Sequence, residues 1–326
     1  MREAFETGPG ASPIEAVELE QTEIAARSPW QLFWNRFRED RLAMASLVFL
    51  GLVTLVAIFA PLIVDVTGLP GPNEEDPSAR DIFGTATGPS ADHLLGVDNR
   101  GRDVLSRTIY GARISLLVAV VATGLAVGAG LVAGLVAGYF RGWLDTLVSR
   151  SVDVLLAIPY LLLATGLAAS CSLGDGCFGG LVEPGLSVVI FVIAFTSWTY
   201  VARIVRGQTL SIREKEYVDA SRSLGASHTR IIFKEILPNL VAPIVVYASV
   251  LMPQVILYES ALSFLGVGVG PRTPSWGQMI AEATSIFDTA WWFMLFPGLA
   301  LLLTVLAFNL VGDALQDALH PRTRRS

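Results

Sequence analysis

Apolar residues in this chain come in blocks longer than about 18 residues, and this limits the possible folds more than any other feature. Hydrocarbon offers no water to an exposed peptide group. Each block must therefore satisfy its own backbone hydrogen bonds, as a helix does. Six spans are expected, near 42–64, 114–138, 148–170, 185–205, 239–260 and 291–311. At ~1.5 Å per residue each crosses a ~30 Å core. The fold class is all-α, a polytopic membrane protein with six transmembrane helices. Asp153 and Pro159 interrupt the third block. Composition agrees: 16% of residues are charged, against about 25% in a soluble domain.

The remaining segments follow from these blocks. Residues 1–27 are rich in Glu, Ala, Pro and Gly without periodicity and read as a disordered tail. Residues 28–64 carry the first span, and 65–113 form a loop and an amphipathic helix. Residues 114–311 hold five further spans around a polar loop at 207–238, and 312–326 form a tail. No short apolar segment with a small-residue cleavage site opens the chain, so no cleaved leader is expected. With the N-terminus placed in the cytoplasm, 17 of the 23 basic residues fall on the inside segments and their margins, 1–41, 139–150, 203–237 and beyond 320. That asymmetry puts both termini and the 207–238 loop in the cytoplasm.

Several function classes find no support. Neither Lys215 nor Lys234 follows a Gly, so no G-x-x-x-x-G-K-[ST] phosphate loop is present. His93, His228 and His320 are far apart, which argues against a metal site. A net charge of −6 gives no reason to expect a nucleic-acid partner. No nucleophile–base motif suggests an enzyme. An ion-driven transporter would need paired intramembrane charges or inverted repeats. Only Asp153 and Glu259 fall within or beside spans, and that alternative stays open.

Four local features carry further expectations. Gly130, Gly134 and Gly138 line one face of the second span, where another helix can approach closely. The partner is either a helix of the same bundle or a helix of a second chain. Cys171 and Cys177 share an outer loop and either form a disulfide or stay as thiols. Glu259 lies near the end of an apolar run. A carboxylate at mid-membrane costs about 2.5–3.5 kcal/mol on insertion scales, so it should face protein or water. It either lines a translocation path or pairs at the outer rim. In the cytoplasmic loop, Tyr217, Ala220, Ser221 and Leu224 recur at i, i+3, i+4, i+7, one face of a short helix. Gly225 can end that helix in the left-handed region, and Ser227 can cap a second one.

That loop, EYVDASRSLGASHTRIIFKEILPN at 216–239, resembles the EAA motif of binding-protein-dependent ABC importer permeases, with Asp219-Ala220-Ser221 where the family has Glu-Ala-Ala. Three more stretches resemble the dipeptide, oligopeptide and nickel subfamily. GVDNRGRDVLSRTIYGARISL at 96–116 has Val97 where the pattern has Thr. Read alone, it is an amphipathic helix with an Asp103–Arg107 i,i+4 pair, and is either an interfacial anchor or a gate or binding-protein contact on the outer face. ESALSFLGVGVGPRTPSWGQMI at 259–280 is turn-rich and sets Trp276 at the interface. FNLVGDALQDALHPR at 308–322 departs from the pattern at Gln316 and His320.

The resemblance covers nearly all of the chain from residue 28 onward and implies a type I ABC importer permease fold. It also implies alternating access between two permease chains in the inner membrane, with two ATP-binding cassette domains and an extracytoplasmic solute-binding protein. ATP and Mg would be bound on the partner ATPases, and no cofactor on this chain. Tyr217, Asp219, Ala220, Ser221 and Leu224 would form the docking helix, and Gly225 would set its angle. Short peptides are the substrate class implied, with nickel or another small solute as alternatives.

Overall fold

The computed structural model describes residues 34–35, 37–82, 84–172 and 176–319. The expected tail at 1–27 and the last residues of 312–326 lie outside them. Eleven helices from Arg41 onward position the site. They are α1 (Arg41–Ile58), α2 (Ala60–Thr67), α3 (Val104–Phe140), α4 (Gly142–Ala157), α5 (Tyr160–Ser172) and α6 (Leu186–Arg213). After these come α7 (Glu216–Ser223), α8 (His228–Arg230), α9 (Leu237–Phe264), α10 (Trp276–Ala283) and α11 (Trp291–Leu319). A π-helical turn, Ile231–Ile236, joins α8 to α9. Among the described residues no strand forms, only isolated bridges. Five helices are long and apolar enough to cross a membrane, and the bent pair α4–α5 makes a sixth when counted as one.

Two spans depart from the expected continuous rods. The third breaks between Ala157 and Tyr160, and its halves meet at 93°. Proline disfavours helical geometry in the residue before it, and Ile158 is extended at φ −90, ψ 130. The first span pauses at Phe59, with Pro61 in the opening turn of α2. The fourth runs to Arg213, well past the expected end at 205.

The core lies between α3, α6 and α9. Val118, Ala122 and Ala126 of α3 meet Val189, Val192 and Val201 of α6 and Leu251 and Val255 of α9. The glycine row of α3 sits against α6. A Cβ on Gly130 would stand 2.5 Å from Val201 Cβ, one on Gly134 2.7 Å from the Ala202 carbonyl, and one on Gly138 2.7 Å from Thr209 Cβ. That face is filled within the chain, which excludes it as a seam with a second permease. Gly124 and Gly128 have nothing within 4 Å and sit outside the seam.

The segment before α3 is folded down by ion pairs. Arg102 Nε donates to Asp98 at 2.6 Å and its Nη2 to Glu282 of α10 at 2.7 Å. Arg107 is fully buried, 3.3 Å from Glu282 and 3.6 Å from Asp98. The expected Asp103–Arg107 pair does not form. Asp103 instead caps α3, accepting from the Ser106 N–H, and lies 2.9 Å from His93 Nδ1. The 104–112 stretch continues into α3, with no break at the span boundary. Trp276 is 2% exposed, not interfacial, and donates to the Thr108 carbonyl at 3.0 Å.

Candidate coupling site

The loop between α6 and α9 folds as a compact knob. Helix α7 opens with Glu216 and Asp219 in its first turn and closes with Arg222 in its last, the charge order that suits a helix dipole. It ends in a Schellman turn: the Gly225 N–H reaches the Arg222 carbonyl and the Ala226 N–H reaches the Ser221 carbonyl. Gly225 has φ +80, open to glycine and strained for other side chains. Ser227 then caps α8, accepting from the Arg230 N–H at 3.3 Å.

The knob is anchored by residues that the spacing did not single out. Val218, Ile231 and Ile236 are fully or almost fully buried, joining the main core. The i, i+3, i+4, i+7 set faces the other way. Tyr217 and Ala220 are exposed, Ser221 is half-buried, and Leu224 is 88% exposed. Phe233 adds a further exposed apolar side chain. Asp219 pairs with Arg222 at 3.0 Å on the open surface. Asn239 donates to Tyr217 Oη at 3.3 Å and to the Glu235 carbonyl at 2.6 Å, tying the knob to the start of α9.

The knob is also tied to the helix ends beneath it. Tyr139, buried at the end of α3, shares a 2.8 Å hydrogen bond with His228 Nδ1. The Arg213 guanidinium lies 5.8 Å over the Tyr139 ring. Arg141 pairs with Glu214. One sequence signal existed for this contact: Tyr139 is a polar aromatic closing an otherwise apolar run.

Glu259 stands far from the knob and is enclosed. Its Oε1 accepts from Ser263 at 2.9 Å and Ser275 at 2.7 Å, and its Oε2 from Ser115 at 3.4 Å. The residue has no exposed surface. It bonds α9 to α3 and to the cap of α10, so that in this structure it is paired with three serines and faces no open space. Spacing could not show this, because two of its three partners come from other segments. Cys171 and Cys177 are joined, with Cα atoms 4.7 Å apart, within the range a disulfide spans. Among the described residues no group of His, Cys, Asp and Glu could hold a metal.

Residues 130–325 match the family model described as binding-protein-dependent transport system inner membrane component. Residues 28–82 match the N-terminal transmembrane domain of oligopeptide transport permease C. The chain is 37% identical over 304 residues, 93% of each chain, to the dipeptide transport system permease protein DppC of Alkalihalophilus pseudofirmus. It is 40% identical over 298 residues, 91% of this chain and 92% of the other, to the glutathione transport system permease protein GsiD of Escherichia coli. A solved inward-facing structure of the MetNI methionine ABC transporter shares the fold at 22% identity. Its TM-score is 0.54, over 67% of this chain and 96% of that one. The relatives are transport permeases, not enzymes. The sealed core, the membrane-length helices and the protruding knob are thus those of a membrane-embedded transport subunit, and the chain belongs to the family of binding-protein-dependent ABC importer permeases.

Proposed function

We propose that this chain is one half of the transmembrane pathway of an ABC importer for short peptides, glutathione-like peptides included. The observation that carries the coupling part is the knob: Tyr217, Leu224 and Phe233 are exposed on a polar segment otherwise fixed by buried anchors. Exposed apolar groups on a rigid mount suit a protein partner. Two ATP-binding cassette domains, carrying ATP and Mg, dock on the knobs of this chain and of a second permease. Tyr217, Asp219, Ala220, Ser221 and Leu224 make the contact, and Gly225 fixes the angle at which they are presented. An extracytoplasmic binding protein delivers the substrate. Both termini and the knob lie in the cytoplasm, as the placement of basic residues supports. The peptide class is supported by near-full-length similarity to dipeptide and glutathione permeases.

Affinity purification of the tagged chain from native membranes tests the assembly. A second multi-span chain and P-loop ATPases are expected with it, and the complex in vesicles should take up labelled dipeptide on ATP addition. Recovery of the chain alone, under detergent conditions that keep other importers whole, overturns the assembly. Recovery of the whole complex without peptide uptake overturns the substrate class alone.

A further inference from the structure

One side of the bundle carries polar groups at membrane depth with nothing in the chain to cover them. On α6, Arg203 pairs with Asp153 of α4 at 2.6 Å, yet their side chains are 56% and 53% exposed. Arg203 lies ten residues inside the Arg213 end, about 15 Å along the axis. The apolar part of α6, Leu186 to Val205, is about 30 Å long and fills the hydrocarbon layer, so Arg203 lies at its inner margin. Beside the pair lies a cavity of about 320 Å³, lined in part by Ser149, Asp153, Arg203 and Arg206. That is the lower range of ligand-sized pockets.

The same side continues onto α9. Tyr247, Gln254 and Tyr258 recur at i, i+7 and i+11, one narrow stripe of the helix. Gln254 is exposed and has no hydrogen-bond partner among the described residues. Tyr200 of α6 is half exposed one turn from Arg203, and Tyr247 of the stripe shares a small pocket with Val201 and Ile204 of α6. Tyr258 stacks on Tyr160 of α5, with ring centroids 3.8 Å apart. Tyr160 begins the half-span after the break, and Ala157, Ile158 and Pro159 at the break are themselves exposed.

Lipid accommodates none of these features. An unpaired amide and an open break in a helix at membrane depth require protein or water, and an exposed ion pair at the margin of the layer draws water to it. The groove between α3 and α6, lined mainly by residues such as Leu125, Phe191 and Trp198, is apolar, as a lipid- or protein-facing surface can be. We propose that the α4–α6–α9 face is this chain's wall of the translocation path, and that Asp153–Arg203 is a charge gate within it. Its ligand is a zwitterionic short peptide: the ammonium exchanges onto Asp153, the carboxylate onto Arg203, and Gln254 and the tyrosines offer hydrogen bonds to peptide groups of any sequence. The ligand part rests on the peptide reading above, and the wall itself does not.

Single-cysteine variants of the assembled complex test this in membrane vesicles, the native pair being already joined. A water-soluble, membrane-impermeant thiol reagent should label Tyr200→Cys and Gln254→Cys at least about tenfold faster than Leu302→Cys on the exposed side of α11. Equal rates overturn the wall, because the face is then buried against protein or lipid. Arg203→Gln should reduce the preference for free over C-terminally amidated dipeptides about tenfold. Fast labelling with an unchanged preference overturns the gate. Fast labelling with no dipeptide moved by the unmodified complex overturns the peptide reading and leaves the wall standing.

Discussion

Gly225 is the residue on which the knob's shape turns. Its φ of +80 closes the Schellman turn, and a Cβ there would meet nothing within 4 Å. Substitution therefore costs backbone strain without a clash. For a β-branched residue that strain is at least about 1–2 kcal/mol. Gly225→Val is expected to leave the complex assembled but to lower ATP-driven uptake about tenfold, the factor that ~1.4 kcal/mol represents. Gly225→Asn, which tolerates the left-handed region, should keep most of the uptake. Uptake per assembled complex in vesicles is the measurement, and normal uptake by the Val variant would falsify the claim that this angle matters.

At the scale of helices, the α3–α6 seam sets how closely two long spans can approach. Gly134→Ala places a methyl 2.7 Å from a backbone carbonyl and 2.9 Å from the Arg206 nitrogen, neither of which can swing aside. Overpacking of this kind costs roughly 1–3 kcal/mol. A lower melting temperature of the purified subunit is expected, while Gly128→Ala, facing open space, should melt unchanged. The glycine spacing was legible in the sequence because it repeats at a helical period. Which helix fills it was not, because the period is the same for either partner. Span number and the helix–Gly–helix knob were also legible, from block length and from Gly225 followed by Ser227. The break at Ile158–Pro159 was visible only as an interruption: Pro243, Pro253 and Pro297 stay inside unbroken helices, so proline alone does not foretell a 93° bend. Val218 was missed because one buried residue in an eight-residue helix leaves no periodic trace.

Across the whole molecule, the 69–103 segment and the bundle are joined by buried charge. Arg107 donates to the Pro72 carbonyl at 3.1 Å and faces Asp98 and Glu282, so three separate stretches meet at one guanidinium. Arg107→Gln removes one of the two guanidiniums that face Asp98 and Glu282, Arg102 remaining, at a cost of about 1.5–3 kcal/mol. The expected result is early loss of the 69–103 segment on heating, read by limited proteolysis of the purified complex from the outer side. Cleavage in that segment at the same temperature as the unmodified protein would show that the cluster does not hold it. A sequence pattern of Asp103 and Arg107 four apart suggested a local pair of small value. The fold instead spends both residues on distant partners, a choice that local spacing cannot encode.

Helix α3 runs for 37 residues without a proline, about 55 Å end to end. Its first turn is locked to the outer ion cluster, and its last holds His228 through Tyr139. It is therefore a strut long enough to reach from one side of the membrane to the other, packed closely on α6 from Gly130 to Gly138. A displacement that begins at the knob meets no proline break along α3. In the assembly proposed above, substrate delivery on one side and nucleotide on the other would act on the two ends of the same rod.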